Sequence, residues 1–442
     1  MNARAHRGDD KGRAASNLGS FHEHRAQRLM SRRGRRRRTS AVALTPAGAR
    51  LRLPAVMAAA LAVGTLACAA PLEFADWTVP VPEGTEVIGY APIDPADREG
   101  QRIELIEDLT IGARGDDDRY LFYRPIDIDV AANGSIYLLD RGNFNVKVFD
   151  RQGEHVRTFG NQGEGPGELA QPRAAAIVDD RYVVNDGGNH ISMWSLDGEY
   201  RGSLPTPMRP VSIFYPLGGD SVLVLFTRGR GSDIRTAAAE GRLRTVGARL
   251  FLEGGEVSEI VDLPETLLLL RRGVTGLLGA RRVMTASADG RLYLTNGDEY
   301  QVMSWDQSGV PRWALRVAQP RQPYSEAEIE NVLAQQRERY PDILSSELEM
   351  SEQAPTLSNL LVDGHGHLYA FLYTWVAPFS ESHDYPIDVY SPAGERLFAG
   401  SMTLAIPGGF WEAAHGDHVY QLELDPAGDW QIVRYRLKEP FE

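Results

Sequence analysis

The sequence predicts an all-β fold, a six-bladed β-propeller of four-stranded antiparallel blades with a short helical insertion between blades four and five. Three observations carry this. Residues 126–160 read IDIDVAANGSIYLLDRGNFNVKVFDRQGEHVRTFG, four alternating apolar segments separated by turns at Asn133-Gly134, Gly142-Asn143 and Gln152-Gly153. Period-two alternation broken by Gly-containing turns is the pattern of an antiparallel meander, which cannot bury its apolar face alone. The second segment of that meander recurs at residues 136–140, 182–186, 222–226, 292–296, 368–372 and 419–423, ending at intervals of 46, 40, 70, 76 and 51 residues. The short intervals match one blade and the long ones hold insertions. Lastly, the alternating stretch 103–111 (IELIEDLTI) has no partner of its own, while the final unit supplies three strands, at 410–414, 419–423 and 430–437. The early stretch is therefore expected to complete the last blade and close the ring, removing exposed sheet edges.

Taken in order, residues 1–52 hold 14 Arg or Lys against three acidic residues, and no folded structure is expected there; Met30 is an alternative start. No charged residue occurs from Leu53 to Leu72, and residues 53–68 read as a secretory signal segment. It ends at the only cysteine of the chain, in Thr65-Leu66-Ala67-Cys68, which resembles a bacterial lipobox with Thr where Leu is usual. Lipidation at Cys68 is the expectation, with an uncleaved signal anchor as the alternative, since about 20 uncharged residues just span a bilayer. Both readings make the protein extracytoplasmic and membrane-anchored, on the periplasmic face or cell surface of a bacterium. With no other cysteine, the ring has no disulfide to hold it. Residues 69–102 are read as tether and lead-in, and residues 103–442 as the propeller.

Within the blades, the third strand carries an aromatic near its end: Phe149, Trp194, Trp305, Tyr390 and, in the last unit, Tyr435. All five are expected to pack between blades. The third unit, within 205–281, gives no clear strand register. Residues 324–350 interrupt the pattern with Ser325 and Glu328 as a capping box and Ile329, Val332 and Leu333 as one apolar face, up to Pro341. The helix so formed is expected near the mouth of the central channel.

The first two units resemble NHL repeats, the six-bladed β-propeller family, through residues 125–130, 134–140, 143–150, 153–160 and 163–169 (GEGPGEL). The resemblance covers about 100 residues. It implies the six-bladed ring and a binding surface, and no particular activity, because one fold hosts many functions.

The whole chain carries −13, so the basic leader leaves −24 for residues 53–442. That charge, without a basic patch, argues against a nucleic-acid partner, and none is expected. Tight turns fall on one face of the ring and insertions on the other, so ligands are expected at the insertion face. Arg124, Arg173, Arg209 and Arg282 each precede an innermost strand and would converge on one mouth, where guanidinium groups suit a carboxylate, phosphate or sulfate. The alternative pairs them with Asp140 or Asp186 as ties between blades. Trp375, His383 and Tyr385, in the insertion 374–386, suit a small-molecule or glycan pocket, unless they pack the helix down.

His365, His367, His415 and His418 occupy the first turns of blades five and six and are weak metal candidates, so no metal and no cofactor is predicted. There is no G-x-S-x-G, phosphate-loop or H-E-x-x-H pattern. Catalytic residues are not identifiable. The expected function is a membrane-tethered propeller binding an anionic small molecule, a glycan or an envelope protein. The alternative is a secreted metal-dependent lyase or hydrolase with its site at the central channel.

Overall fold

The computed structural model describes residues 81–112, 115, 117–187, 190–205, 210–228, 244–263, 283–295, 297–339, 353–374, 382–405 and 410–441. Blade one is β3 (Pro125–Val130), β4 (Ile136–Asp140), β5 (Asn145–Phe149) and β6 (His155–Phe159); blade two is β7 (Ala174–Val178), β8 (Arg181–Asn185), β9 (His190–Ser195) and β10 (Tyr200–Pro205). Blade three, whose register the sequence did not reveal, is β11 (Pro210–Pro216), β12 (Ser221–Arg228), β13 (Arg244–Phe251) and β14 (Val257–Leu263). Blade four is β15 (Val283–Ala286), β16 (Leu292–Thr295), β17 (Gln301–Trp305) and β18 (Pro311–Val317). Blade five is β19 (Leu357–Val362), β20 (Leu368–Leu372), β21 (Ser382–Tyr390) and β22 (Arg396–Ala405). Blade six is β23 (Ala413–His415), β24 (His418–Leu424) and β25 (Trp430–Lys438), completed by β2 (Arg102–Gly112), which pairs antiparallel with β25.

The apolar alternation sets the packing. Buried side chains gather into six clusters, each shared by two neighbouring blades, including one between blades six and one. That sixth seam closes the ring. Ile111 of β2 enters it, while Ile103 enters the seam of blades five and six. Of the third-strand aromatics, Phe149, Trp194, Trp305 and Tyr390 are buried. Tyr435 is half-buried and donates to Glu423 Oε1 at 2.7 Å.

A repeated close approach explains the glycine of the turn between third and fourth strands. A Cβ on Gly198 would lie 2.9 Å from Phe159 of the preceding blade. At Gly309 it would meet Ile260 at 2.7 Å, at Gly394 Ile88 at 2.6 Å, and at Gly153 Leu109 and Ile111 at 3.0 Å. The same residues sit at φ near +80°, which glycine adopts without penalty. These turns press on the outer strand of the blade before, so two demands fall on one residue.

The lead-in is more structured than a tether. Residues of β1 (Glu86–Tyr90) pair parallel with β18 as a fifth strand of blade four. The short helix α1 (Pro95–Arg98) follows, and Arg98 reaches the wholly buried Asp388 at 2.7 Å. Helix α2 (Glu326–Arg339) lies between β18 and β19. Its capping box forms: Glu328 Oε2 accepts from Ser325 N and Oγ, both at 2.6 Å. Tyr373 donates to Glu328 Oε1 at 2.9 Å, and Ile329 packs with Tyr324, Ala354 and Tyr373. Pro341 lies outside the described residues, as do the leader and Cys68. Among the described residues, no helix is long and apolar enough to cross a membrane.

Candidate functional site

The innermost strands β3, β7, β11, β15, β19 and β23 surround a central channel of about 860 Å³. Its lining is acidic among the described residues: Asp127, Asp129, Asp363 and Glu412 share the wall with Arg173, and Asn359 and Phe410 are among its neutral polar and aromatic groups. Asp127 and Asp129 are two residues apart on β3 and so share one face of it. That face looks toward blade two, where Ala175 N donates to Asp127 Oδ2 at 2.7 Å. Asp129 Oδ2 and the Tyr182 hydroxyl are buried and make no hydrogen bond of normal geometry, although each bears on the other's charge.

These carboxyls are driven toward the neutral form. Burial raises Asp127 well above the ordinary carboxylate range, and the charges of Asp129 and Glu412 add to it. Burial likewise raises Asp129, against a backbone hydrogen bond from Ile177. Glu412 is pushed up to about 7 by burial. Its side chain is nonetheless exposed on the channel wall, so the desolvation comes from the enclosing ring and not from close packing. Across the channel, Tyr215 donates to Met284 O at 2.7 Å, tying blade three to blade four.

The arginines divide. Arg173 lines the channel, and Arg124 is exposed at the same end of the innermost strand of blade one. Arg209 and Arg282 lie outside the described residues. The expected tie to Asp140 takes another form. Asp140 is fully buried and accepts from the backbone N–H groups of Tyr123 (2.9 Å), Arg124 (2.9 Å) and Gly142 (3.0 Å), and from Asn143 Nδ2 (2.7 Å). It fixes the backbone that carries Arg124 and leaves the guanidinium alone. Asp186 does the same in blade two, accepting from Ala170 and Gln171 N–H at 2.8 and 2.6 Å.

Trp375 lies outside the described residues. Tyr385 is buried in the seam of blades five and six, its ring 5.9 Å from Phe371 and 5.3 Å from Phe410, so packing takes up the surface a ligand would need. His383 is half-buried, 4.8 Å from the Tyr385 ring, with Nε2 unpaired. Among the described residues, none of α2 lines the channel.

The four histidines do not converge. His365 Nε2 meets Asp417 Oδ1 at 2.7 Å, and His418 Nε2 meets Asp108 Oδ2 at 3.0 Å. His367 Nδ1 lies 2.9 Å from Asp363 Oδ2, and His415 borders the channel. Asp127, Asp129 and Glu412 were missed in the sequence. The available signal was Asp-Ile-Asp on an innermost strand, where alternation should set polar groups against a channel.

A family model described as a 6-bladed beta-propeller, DUF5128, matches residues 117–228, which span blades one and two and the start of blade three. No curated protein sequence matches the chain. Among solved structures, the chain is similar to a member of the DUF4221 family from Bacteroides vulgatus, at 13% identity over 76% of this chain and 99% of that one, with a TM-score of 0.49. It is also similar to a protein described as exported from Bacteroides fragilis (13% identity, 80% and 99% covered, TM-score 0.45). A third is BamB from Moraxella catarrhalis (12% identity, 75% and 100% covered, TM-score 0.36). Likenesses this distant leave the chemistry to be argued from the residues.

Proposed function

We propose that the chain is an extracytoplasmic binding module, tethered through the segment ending at Cys68, that takes a neutral, hydroxyl-rich ligand such as a glycan into its central channel. The observation that carries this is the set of carboxyls on the channel wall, raised toward neutrality by burial. A protonated carboxyl both donates and accepts, which suits hydroxyl groups better than ions. Phe410 offers a ring face beside them, and Asn359 and Thr285 add neutral partners. A body charge of −24 also repels anions at long range.

An anion remains the second reading, supported by Arg173 on the wall and Arg124 at the mouth. A thermal-shift screen against neutral oligosaccharides, acidic oligosaccharides, carboxylates and phosphate separates the two. Stabilisation by a neutral oligosaccharide, lost in Glu412→Ala and weakening above pH 7 as the carboxyls ionise, supports the proposal. Stabilisation by anions alone, lost in Arg173→Gln, replaces it with the anion reading. No shift across the panel sinks both and leaves a protein partner.

A further inference from the structure

The first turn of blade five brings two ligand-type side chains, Asp363 and His367, against a third from a distant part of the chain, Glu439. Asp363 follows β19, His367 precedes β20, and Glu439 follows β25. His367 Nδ1 lies 2.9 Å from Asp363 Oδ2 and 3.7 Å from Glu439 Oε2, and the three ligand atoms fall within 4.8 Å of one another. The Asp363 side chain is wholly removed from solvent and that of Glu439 is 3% exposed, while His367 keeps 20%.

We infer that Asp363, His367 and Glu439 form a binding site for a first-row divalent metal ion, with zinc the best fit. Ligands about 2.1 Å from a tetrahedral ion stand about 3.4 Å apart, which the distances around His367 bracket. Both carboxylates are already aimed. Asp363 Oδ1 accepts from His365 and His367 N–H at 2.9 and 2.8 Å, which turns Oδ2 to the imidazole. The Tyr369 hydroxyl donates to Glu439 Oε1, which leaves Oε2 facing His367. Such outer hydrogen bonds orient ligands in metal sites. Charge points the same way: two carboxylates beside one imidazole remain net negative even with His367 protonated, whereas a divalent ion with neutral His367 balances them. Binding would release the Nδ1 proton to solvent, and water through the exposed edge of His367 would supply the fourth ligand.

The site would clamp the C-terminal tail. Phe441 packs on the His367 ring at 5.6 Å and on Phe398 at 5.9 Å, so the ion would sit under a tail that already covers blade five. In a ring without disulfides, this is a cross-link between the end of the chain and its fifth blade.

The test is titration of the chelator-treated full chain with Co²⁺, read by visible absorption, and with Zn²⁺ by calorimetry. One ion per chain is expected, with Co²⁺ bands displaced by Zn²⁺. His367→Gln should abolish binding, Glu439→Gln should weaken it at least tenfold, and Tyr369→Phe should weaken it about tenfold as an outer-shell change. His415→Gln and His418→Gln should leave it unchanged. Melting curves without metal identify any variant that fails to fold, and Tyr369→Phe, which keeps all three ligands, then decides. Absence of Co²⁺ bands at 1:1 stoichiometry, or binding indifferent to all three substitutions, overturns the site and leaves a His367–carboxylate ion pair.

Discussion

Replacing Asp129 by Asn tests whether the channel wall carries a carboxyl held neutral by its surroundings. Burial raises Asp129 from 3.8 to about 7. In the folded state the group then keeps its proton between about pH 4 and 7, where the unfolded chain has lost it. The folded state binds more protons in that window, so stability falls as pH rises through it, and the loss is complete above the folded value. A rise of roughly three units corresponds to about 4 kcal/mol at about 1.4 kcal/mol per unit. Asp127 shares the strain, so about 2–4 kcal/mol is expected for Asp129 alone. Asn is close in shape and cannot ionise. Urea unfolding of the two proteins should therefore show Asp129→Asn more stable by about 2–4 kcal/mol at pH 8.5 and by about 1–1.5 kcal/mol at pH 5. Comparing the two proteins at each pH cancels the other titrating groups. A difference that is the same at both pH values would refute the reasoning, because it would mean that Asp129 ionises in the folded chain as it does in the unfolded one.

Asp140→Ala strips a buried acceptor from several backbone and side-chain donors, so it should cost about 3 kcal/mol or more in urea unfolding and loosen the loop bearing Arg124. Gly198→Ala forces a side chain into φ +84° and a Cβ to 2.9 Å from Phe159, so the melting curve should show a loss of about 1–3 kcal/mol. Ile111→Ala opens a cavity in the closing seam, and chemical denaturation should report a loss of about 2–5 kcal/mol; an effect below about 0.5 kcal/mol would mean that β2 does not hold the ring.

The ring was legible because its determinants are local. Each second strand is a short apolar run, and five of the six blades place an aromatic near the end of the third strand. The closing role of residues 103–111 followed from counting strands, and β2 pairs with β25 as that count requires. What stayed hidden depends on contacts between distant residues. Glu439 meets His367 from 72 positions along the chain, and no spacing rule connects them. The pairing of β1 with β18 joins residues over 200 positions apart, so residues 86–90 read as lead-in. Tyr385 looked available because an insertion loop suggests exposure, yet β21 begins at Ser382 and carries Tyr385 into the seam. Asp127 and Asp129 were hidden differently: they alternate as polar residues of an amphipathic strand do, and only the curvature of the ring turns that face toward an enclosed space.

Position alone gives the aspartates of this chain three separate duties. At the end of the second strand, Asp140 and Asp186 accept backbone N–H groups and fix the loops that lead into the innermost strands. In the third turn, Asp150 and Asp306 each accept two amides and set the turn, as Asp425 does in the second turn of blade six; Asp306 takes Ser308 and Val310 N–H at 2.8 and 3.0 Å. These carboxylates exchange water for N–H donors, so the fold accounts for their presence. On the innermost strand the accounting fails. Asp127 has one oxygen engaged by Ala175, and Asp129 has one buried oxygen that meets no donor at normal hydrogen-bond geometry. An alanine at either place would spare the fold a desolvated acid, as blade two shows by carrying Ala174, Ala175 and Ala176 along β7. Carboxyls that cost the ring stability and face its channel are better explained by what enters the channel than by what holds it together.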